Sequence, residues 1–266
     1  MIQKVKANGM SVVYRFDGPQ DAPVVMLSNS LMSDHTMWDP QLPVLTKSFR
    51  VLRYDTRGHG ASDAPPGPYT IKLLAEDVIA LLDVLKIDKV HFAGLSMGGM
   101  IGQFLGANHA DRLLSLLLCD TASEMPTLEM WSDRISTAET KGVPALVDGT
   151  LKRWFSPPFL ATGDPSIEKV AAMIRTTSTV GYVGCACAVR DMSQTAILSK
   201  IKVPTIIIVG EDDPACTVEQ SRVLQEHIEG ADMVVLKSAA HLSNIEQTEA
   251  FNAAVMTFLT AQSPRA

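Results

Sequence analysis

The stretch VHFAGLSMGGMIGQFLGA, Val90 to Ala107, decides how this chain is read. An apolar run ends at Gly94, a serine follows among small residues, and apolar residues then resume at helical spacing. The first part suits a buried strand and the last part a helix. Between them stands Gly94-Leu95-Ser96-Met97-Gly98, a G-x-S-x-G at a strand–turn–helix junction. A turn this sharp needs residues almost free of side chain two before and two after the serine. It lifts the Ser96 hydroxyl above the strand end and aims the Met97 N–H, at a helix N-terminus, at a developing oxyanion. We therefore expect Ser96 to be a nucleophile.

Working outward, SVVYRF, VVMLSN and FRVLRYD read as strands before the helical pattern LLAEDVIALLDVL and the strand KVHFAG. LLSLLLCD is a continuous apolar run suited to a buried parallel strand. From about Glu124 to Ser199 strand signals vanish and short helical patterns follow one another, among them WSDRISTAET, PALVDGTLKRWF, SIEKVAAMIRTTS and YVGCACAVRDM. Strand texture returns in PTIIIVG and MVVL, each followed by a helical pattern. This order predicts an α/β fold, a mostly parallel doubly wound sheet, with core residues 1–122 and 200–266 and an inserted helical lid over 123–199.

The 266 residues suffice for one large core. A net charge of −6 argues against nucleic acid or an anionic membrane as partner, and it leaves room for a local basic pocket. The four cysteines form no C-x-x-C pair and read as packed reduced thiols. The N-terminal MIQKVKANGMSVVYRF lacks a signal-peptide core and no run of about 18 apolar residues follows, so the cytoplasm is the expected location. No cluster has metal-ligand spacing and no glycine loop suits a phosphate, so no metal or cofactor is expected. Oligomeric state is left open.

A serine hydroxyl needs a base. Of six histidines, His241 stands in a loop after the strand MVVL, where a strand-top base belongs. The base needs an acid. Glu211, Asp212 and Asp213 follow PTIIIVG at a strand's carboxyl end, and Asp120 closes LLSLLLCD as a rival. Any of them preserves the order serine, acid, histidine.

With these pieces in place the chain resembles an α/β-hydrolase over essentially its whole length. YDTRGHGASDAP is similar to that family's turn after the third strand, and GEDDPACT to its acid loop. The resemblance implies Asp213 as the acid. It also implies the backbone N–H groups of Leu31 and Met97 as the oxyanion hole, with Asn29 and Ser30 where many members carry His-Gly. Thr217 replaces an expected proline, and Ala240 an expected glycine. LSNSL, RWFSPPF, GYVGCACAVRDM and AAHLSNIEQ resemble the 3-oxoadipate enol-lactonases.

That resemblance implies a carboxylic-ester hydrolase that opens an enol-lactone ring in aromatic catabolism through an acyl-enzyme on Ser96, with a small anionic lactone as its partner. A carboxylate-bearing substrate calls for an arginine. Arg153 beside Trp154 is the first choice, with Arg134, Arg175 and Arg190 as further candidates and Trp154 as an apolar wall. Asp55, Arg57, His59 and Asp63 are expected to form a structural turn. Other readings are a carboxylesterase, a carbon–carbon bond hydrolase, a perhydrolase-like enzyme, and a ligand receptor on the same scaffold.

Overall fold

A computed structural model describes residues 1–125 and 128–262. Its strands are β1 (Ile2–Ala7), β2 (Met10–Asp17), β3 (Val24–Ser28), β4 (Arg50–Tyr54), β5 (Val90–Leu95), β6 (Leu113–Cys119), β7 (Thr205–Gly210) and β8 (Asp232–Leu236). They form one sheet in the order β1-β2-β4-β3-β5-β6-β7-β8. From β4 across to β8 every pairing is parallel, while β2 runs antiparallel to both β1 and β4. Every residue of β5 and β7 is buried, as their predominantly apolar character requires of strands covered on both faces.

Strand β1 is an addition to the sequence reading, which placed no strand before Ser11. Gln3, Lys4 and Lys6 are polar and exposed, so no apolar run marks it. The signal was Asn8-Gly9, whose φ angles of 44° and 76° suit a tight hairpin turn between β1 and β2.

The helix Ile71–Val84 begins at Thr70, whose hydroxyl accepts the Leu73 N–H at 3.1 Å, and it buries Leu74, Val78 and Leu81. The helix Met97–Asn108 follows β5 directly. Between β6 and β7 the described residues form helices, Leu128–Lys141, Val147–Trp154, Pro157–Thr162, Pro165–Thr176 and Thr179–Arg190, and a single isolated bridge joins Glu124 to Ser193. Beyond β7 lie the helices Val218–His227 and Thr248–Gln262. Thr217, where the resembling family has proline, opens the first of these with a capping box: its hydroxyl accepts the Gln220 N–H while the Gln220 side chain accepts the Thr217 N–H. All four cysteines are buried and unbridged. No helix among the described residues is long and apolar enough to cross a membrane.

Candidate active site

The turn after β5 is as tight as its glycines suggest. A Cβ on Gly94 would stand 2.1 Å from the Gly98 carbonyl oxygen, and one on Gly98 would stand 2.2 Å from that of Ser28. Ser96 adopts φ 56° and ψ −115°, a conformation that costs a non-glycine residue about 1–3 kcal/mol. The surroundings enforce it. The Ser96 N–H donates to the Cys119 carbonyl at 2.8 Å, and the Ser96 carbonyl accepts from the Thr121 hydroxyl at 2.8 Å and the Met100 N–H at 3.0 Å.

His241 follows β8 and is buried at 2% exposure, facing the same cavity as Ser96. Its Nδ1 lies 2.8 Å from Asp213 Oδ2. A carboxylate on that side assigns the ring proton to Nδ1 and leaves Nε2 as a free acceptor. The other Asp213 oxygen accepts the Ala215 and Cys216 N–H groups at 2.7 and 3.0 Å. Asp212 is exposed. Asp120 turns its two oxygens to the Gly210 N–H at 2.9 Å and the Ser243 hydroxyl at 2.6 Å. Burial, with Asp213 nearby, pushes the Asp120 carboxyl well above the ordinary range. Of the three aspartates, Asp213 is the one bonded to the imidazole. Burial also raises the neighbouring Cys216 thiol well above its ordinary value, which makes it a poor rival nucleophile.

The Leu31 segment is shaped by its neighbours. The Ser30 carbonyl accepts both the Ser33 N–H at 3.3 Å and the Ser33 hydroxyl at 2.8 Å. In a trans peptide the next N–H points the opposite way, so the Leu31 N–H is turned from these bonds. Leu31 lines the cavity of Ser96 and His241. Among the described residues, neither the Leu31 N–H nor the Met97 N–H has a protein acceptor.

The cavity is also lined by Arg134, Arg153, Trp131 and Trp154. Arg134 donates to the Tyr182 hydroxyl and to Thr150 Oγ1, both at 3.3 Å, and Arg153 Nη1 lies 3.2 Å from Met130 Sδ. These partners are neutral, and among the described residues neither guanidinium has an acidic one. Burial, and after it the charge of Arg134, push the Arg153 guanidinium below its usual value, with Asp213 opposing the shift. Arg134 lies over the Trp131 ring at 5.5 Å, and the buried Trp131 Nε1 has no hydrogen-bond partner. Sequence reasoning passed over Trp131, because nothing in WSDR distinguishes a cavity-facing tryptophan from a packed one.

Two of the arginine candidates are not brought here. Arg190 pairs with Asp191 at 2.7 Å and borders a separate depression near Pro66 and Glu139; Arg175 is exposed and paired with Glu168 at 2.6 Å. Neither lines the cavity of Ser96, and no residue of the helix Pro165–Thr176 that carries Arg175 does.

A lock joins the helical segment to the histidine loop. The Leu242 N–H donates to the Trp154 carbonyl at 3.0 Å, and the Trp154 and His241 ring centroids are 6.1 Å apart. The Glu246 carboxylate accepts from the Ser156 hydroxyl, from the Ser156 N–H at 3.2 Å and from the Ala240 N–H at 3.0 Å. The bonds of Ser156 to Glu246 and of Leu242 to Trp154 span about 90 residues of chain, so no local pattern announces them.

Two groups of possible metal ligands come within 4.8 Å of one another, Asp213 with Cys216 and His241, and Asp34 with His35 and Asp55. The sequence spacing suggested neither. Hydrogen bonds account for both: Asp213 is bonded as above, and Asp55 accepts from the His35 backbone and ring and from the Ala61 N–H. The RGHG segment is a bonded turn, with Arg57 paired to Asp77 at 2.6 Å and the Ser11 N–H donating to Asp63 at 2.8 Å.

The model of the alpha/beta hydrolase family matches residues 24–254. The chain belongs to the alpha/beta hydrolase family. Two Acinetobacter baylyi proteins named 3-oxoadipate enol-lactonase are 38% and 36% identical to it, over 91% and 94% of this chain and 91% and 93% of their own length. A Pseudomonas syringae protein named as a candidate carbamate hydrolase, RutD, is 30% identical over 91% of this chain and 95% of its own. The crystal structure of an enol-lactonase from Burkholderia xenovorans is 43% identical, covers 97% of this chain and all of its own, and superposes with a TM-score of 0.95. This alpha/beta hydrolase is thus an enzyme, similar to enol-lactonases in both sequence and structure.

Proposed function

We propose that this hydrolase opens 3-oxoadipate enol-lactone to 3-oxoadipate. The observation that carries the reading is the pair Arg134 and Arg153, two cations without an acidic partner beside Ser96 and under the wall of Trp154. A ring ester bearing one carboxylate supplies the missing charge. The similarity to proteins named for this lactone supports the choice of ring.

In this mechanism His241 Nε2 takes the Ser96 proton as the serine oxygen attacks the lactone carbonyl. Asp213 holds the ring tautomer and stabilises the imidazolium. The oxyanion rests on the Leu31 and Met97 N–H groups. Collapse breaks the ring C–O bond, and the enolate that leaves takes up a proton to become a ketone. Water, deprotonated by His241, then attacks the acyl carbonyl and releases the second carboxylate from Ser96.

The cavity at Ser96 measures about 30 Å³, room for roughly two water molecules. It shares Met125, Arg153 and Ala215 with an outer cavity of about 630 Å³. A lactone therefore displaces Met125 and Arg153 as it enters, and Arg153 meets the incoming carboxylate on both sides of this partition.

The test is a comparison of kcat/KM for the enol-lactone with that for p-nitrophenyl acetate and for a carbamate. A clear preference for the lactone supports the reading, and a preference for the neutral ester reduces the enzyme to a plain esterase. The relative named for carbamate hydrolysis favours a second reading, which a preference for the carbamate would establish.

A further inference from the structure

We infer that His59 is a positioning residue for the oxyanion site, holding the turn that presents the Leu31 N–H. The inference rests on the oxyanion reading above. It starts from the hydrogen bond in which the Met32 N–H donates to His59 Nε2 at 2.9 Å. Met32 has φ 60°, a left-handed conformation that a non-glycine residue holds only when its surroundings impose it. On one side of Leu31 the Ser33 bonds fix the Ser30 carbonyl, and on the other His59 fixes the Met32 N–H. Both peptide planes flanking Leu31 are thereby set, and its amide cannot flip without breaking one of these bonds.

His59 is built to act as an acceptor. Its Nδ1 lies 3.1 Å from the Arg57 carbonyl, so Nδ1 carries the proton and Nε2 presents a lone pair. The ring is 1% exposed, and burial holds its pKa below the ordinary value, which keeps it neutral. The charged and titratable groups around it are Asp55 and Asp34, the neighbouring Arg57, and Cys185, whose sulfur is 3.9 Å from Nδ1. A protonated ring would turn an Nε2–H against the Met32 N–H and lose the bond. The anchor itself is stiff: the His59 N–H donates to the Thr56 carbonyl at 2.9 Å, and its carbonyl accepts the Ser62 N–H at 3.1 Å. The RGHG turn is thus more than a structural corner; it reaches across to the candidate oxyanion segment.

Three variants test this with p-nitrophenyl acetate, a neutral ester that bypasses the lid arginines. His59→Leu removes the acceptor, His59→Asn falls short of Met32, and His59→Gln offers a carbonyl oxygen of suitable reach. Complete loss of an oxyanion donor costs about 10²–10³-fold in kcat, so a displaced donor should cost at least about tenfold. His59→Leu and His59→Asn should show that loss with KM changed less than about threefold. Phenylboronic acid, which mimics the tetrahedral intermediate on the serine, should weaken in parallel, and His59→Gln should recover most of both. If Leu fails to fold, Asn against Gln decides. Equal kcat in all variants, with boronate affinity intact, would overturn the role of His59 alone. Wild-type enzyme that binds the boronate no better than benzoate would sink the oxyanion reading and this inference with it.

Discussion

The rim of the sheet and the helical segment between β6 and β7 contribute to one cavity in different ways. Ser96, Asp213 and His241 each stand within a few residues of a strand end, after β5, β7 and β8. Their placement is imposed by backbone: the glycine contacts of the elbow, the N–H groups of Ala215 and Cys216 on Asp213, and the burial of His241. Arg134 and Arg153 come instead from helices, on long side chains held by weak neutral contacts. On the proposed mechanism, the bond-making groups are therefore rigid and the charge-reading groups adjustable. Damage at the rim should appear in kcat, and damage in the helices in KM.

The sharpest break comes at the rim. On the proposed mechanism, Ser96→Ala should lower kcat on the lactone by at least about 10⁴-fold while the thermal melt stays unchanged. Gly98→Ala probes the backbone under it. Its Cβ would meet the fixed Ser28 carbonyl at 2.2 Å, so chemical denaturation should show a loss of roughly 3 kcal/mol or more. On the other side of the comparison, Arg153→Met should raise KM for the lactone roughly ten- to hundredfold, the worth of a charge-assisted hydrogen bond, with kcat for p-nitrophenyl acetate nearly kept.

The pH dependence of stability offers a smaller effect. Burial lowers the pKa of His91, whose Nδ1 is 2.8 Å from the Ser115 hydroxyl, and of His59. The unfolded chain then takes up protons first, near its ordinary value of about 6.5. Stability from these groups is complete above that pH and is lost as pH falls below it, by at most about 1.4 kcal/mol per pH unit for each. Melts at pH 7.5 and 5.5 should show the loss, and His91→Gln should shrink it. Smallest of all, Arg190→Met should change KM for the lactone less than about twofold, because this arginine pairs with Asp191 away from Ser96.

What could be read from the chain follows the same division. The elbow was legible because its steric demand is local: five consecutive residues carry the two glycines and the serine between them. Continuous apolar strands announced the parallel sheet, while β1, an exposed edge, was marked only by Asn8-Gly9. The Asp213 contact to His241 needed the fold to separate it from Asp120, which faces Ser243 instead. Arg190 and Trp131 show where sequence runs out, since the side of a short helix that faces a cavity depends on what packs behind it. The Glu246 lock and the His59 contact join residues remote in the chain, and single-sequence patterns carry no such pairing.

The central claim is that Ser96 is the nucleophile of this site, and a fluorophosphonate tests it most directly. Peptide mapping should find one phosphonyl adduct, on Ser96, formed in step with loss of hydrolase activity and absent after His241→Ala over the same interval. Full activity with no adduct, or an adduct on Cys216 that alone tracks inactivation, would contradict it.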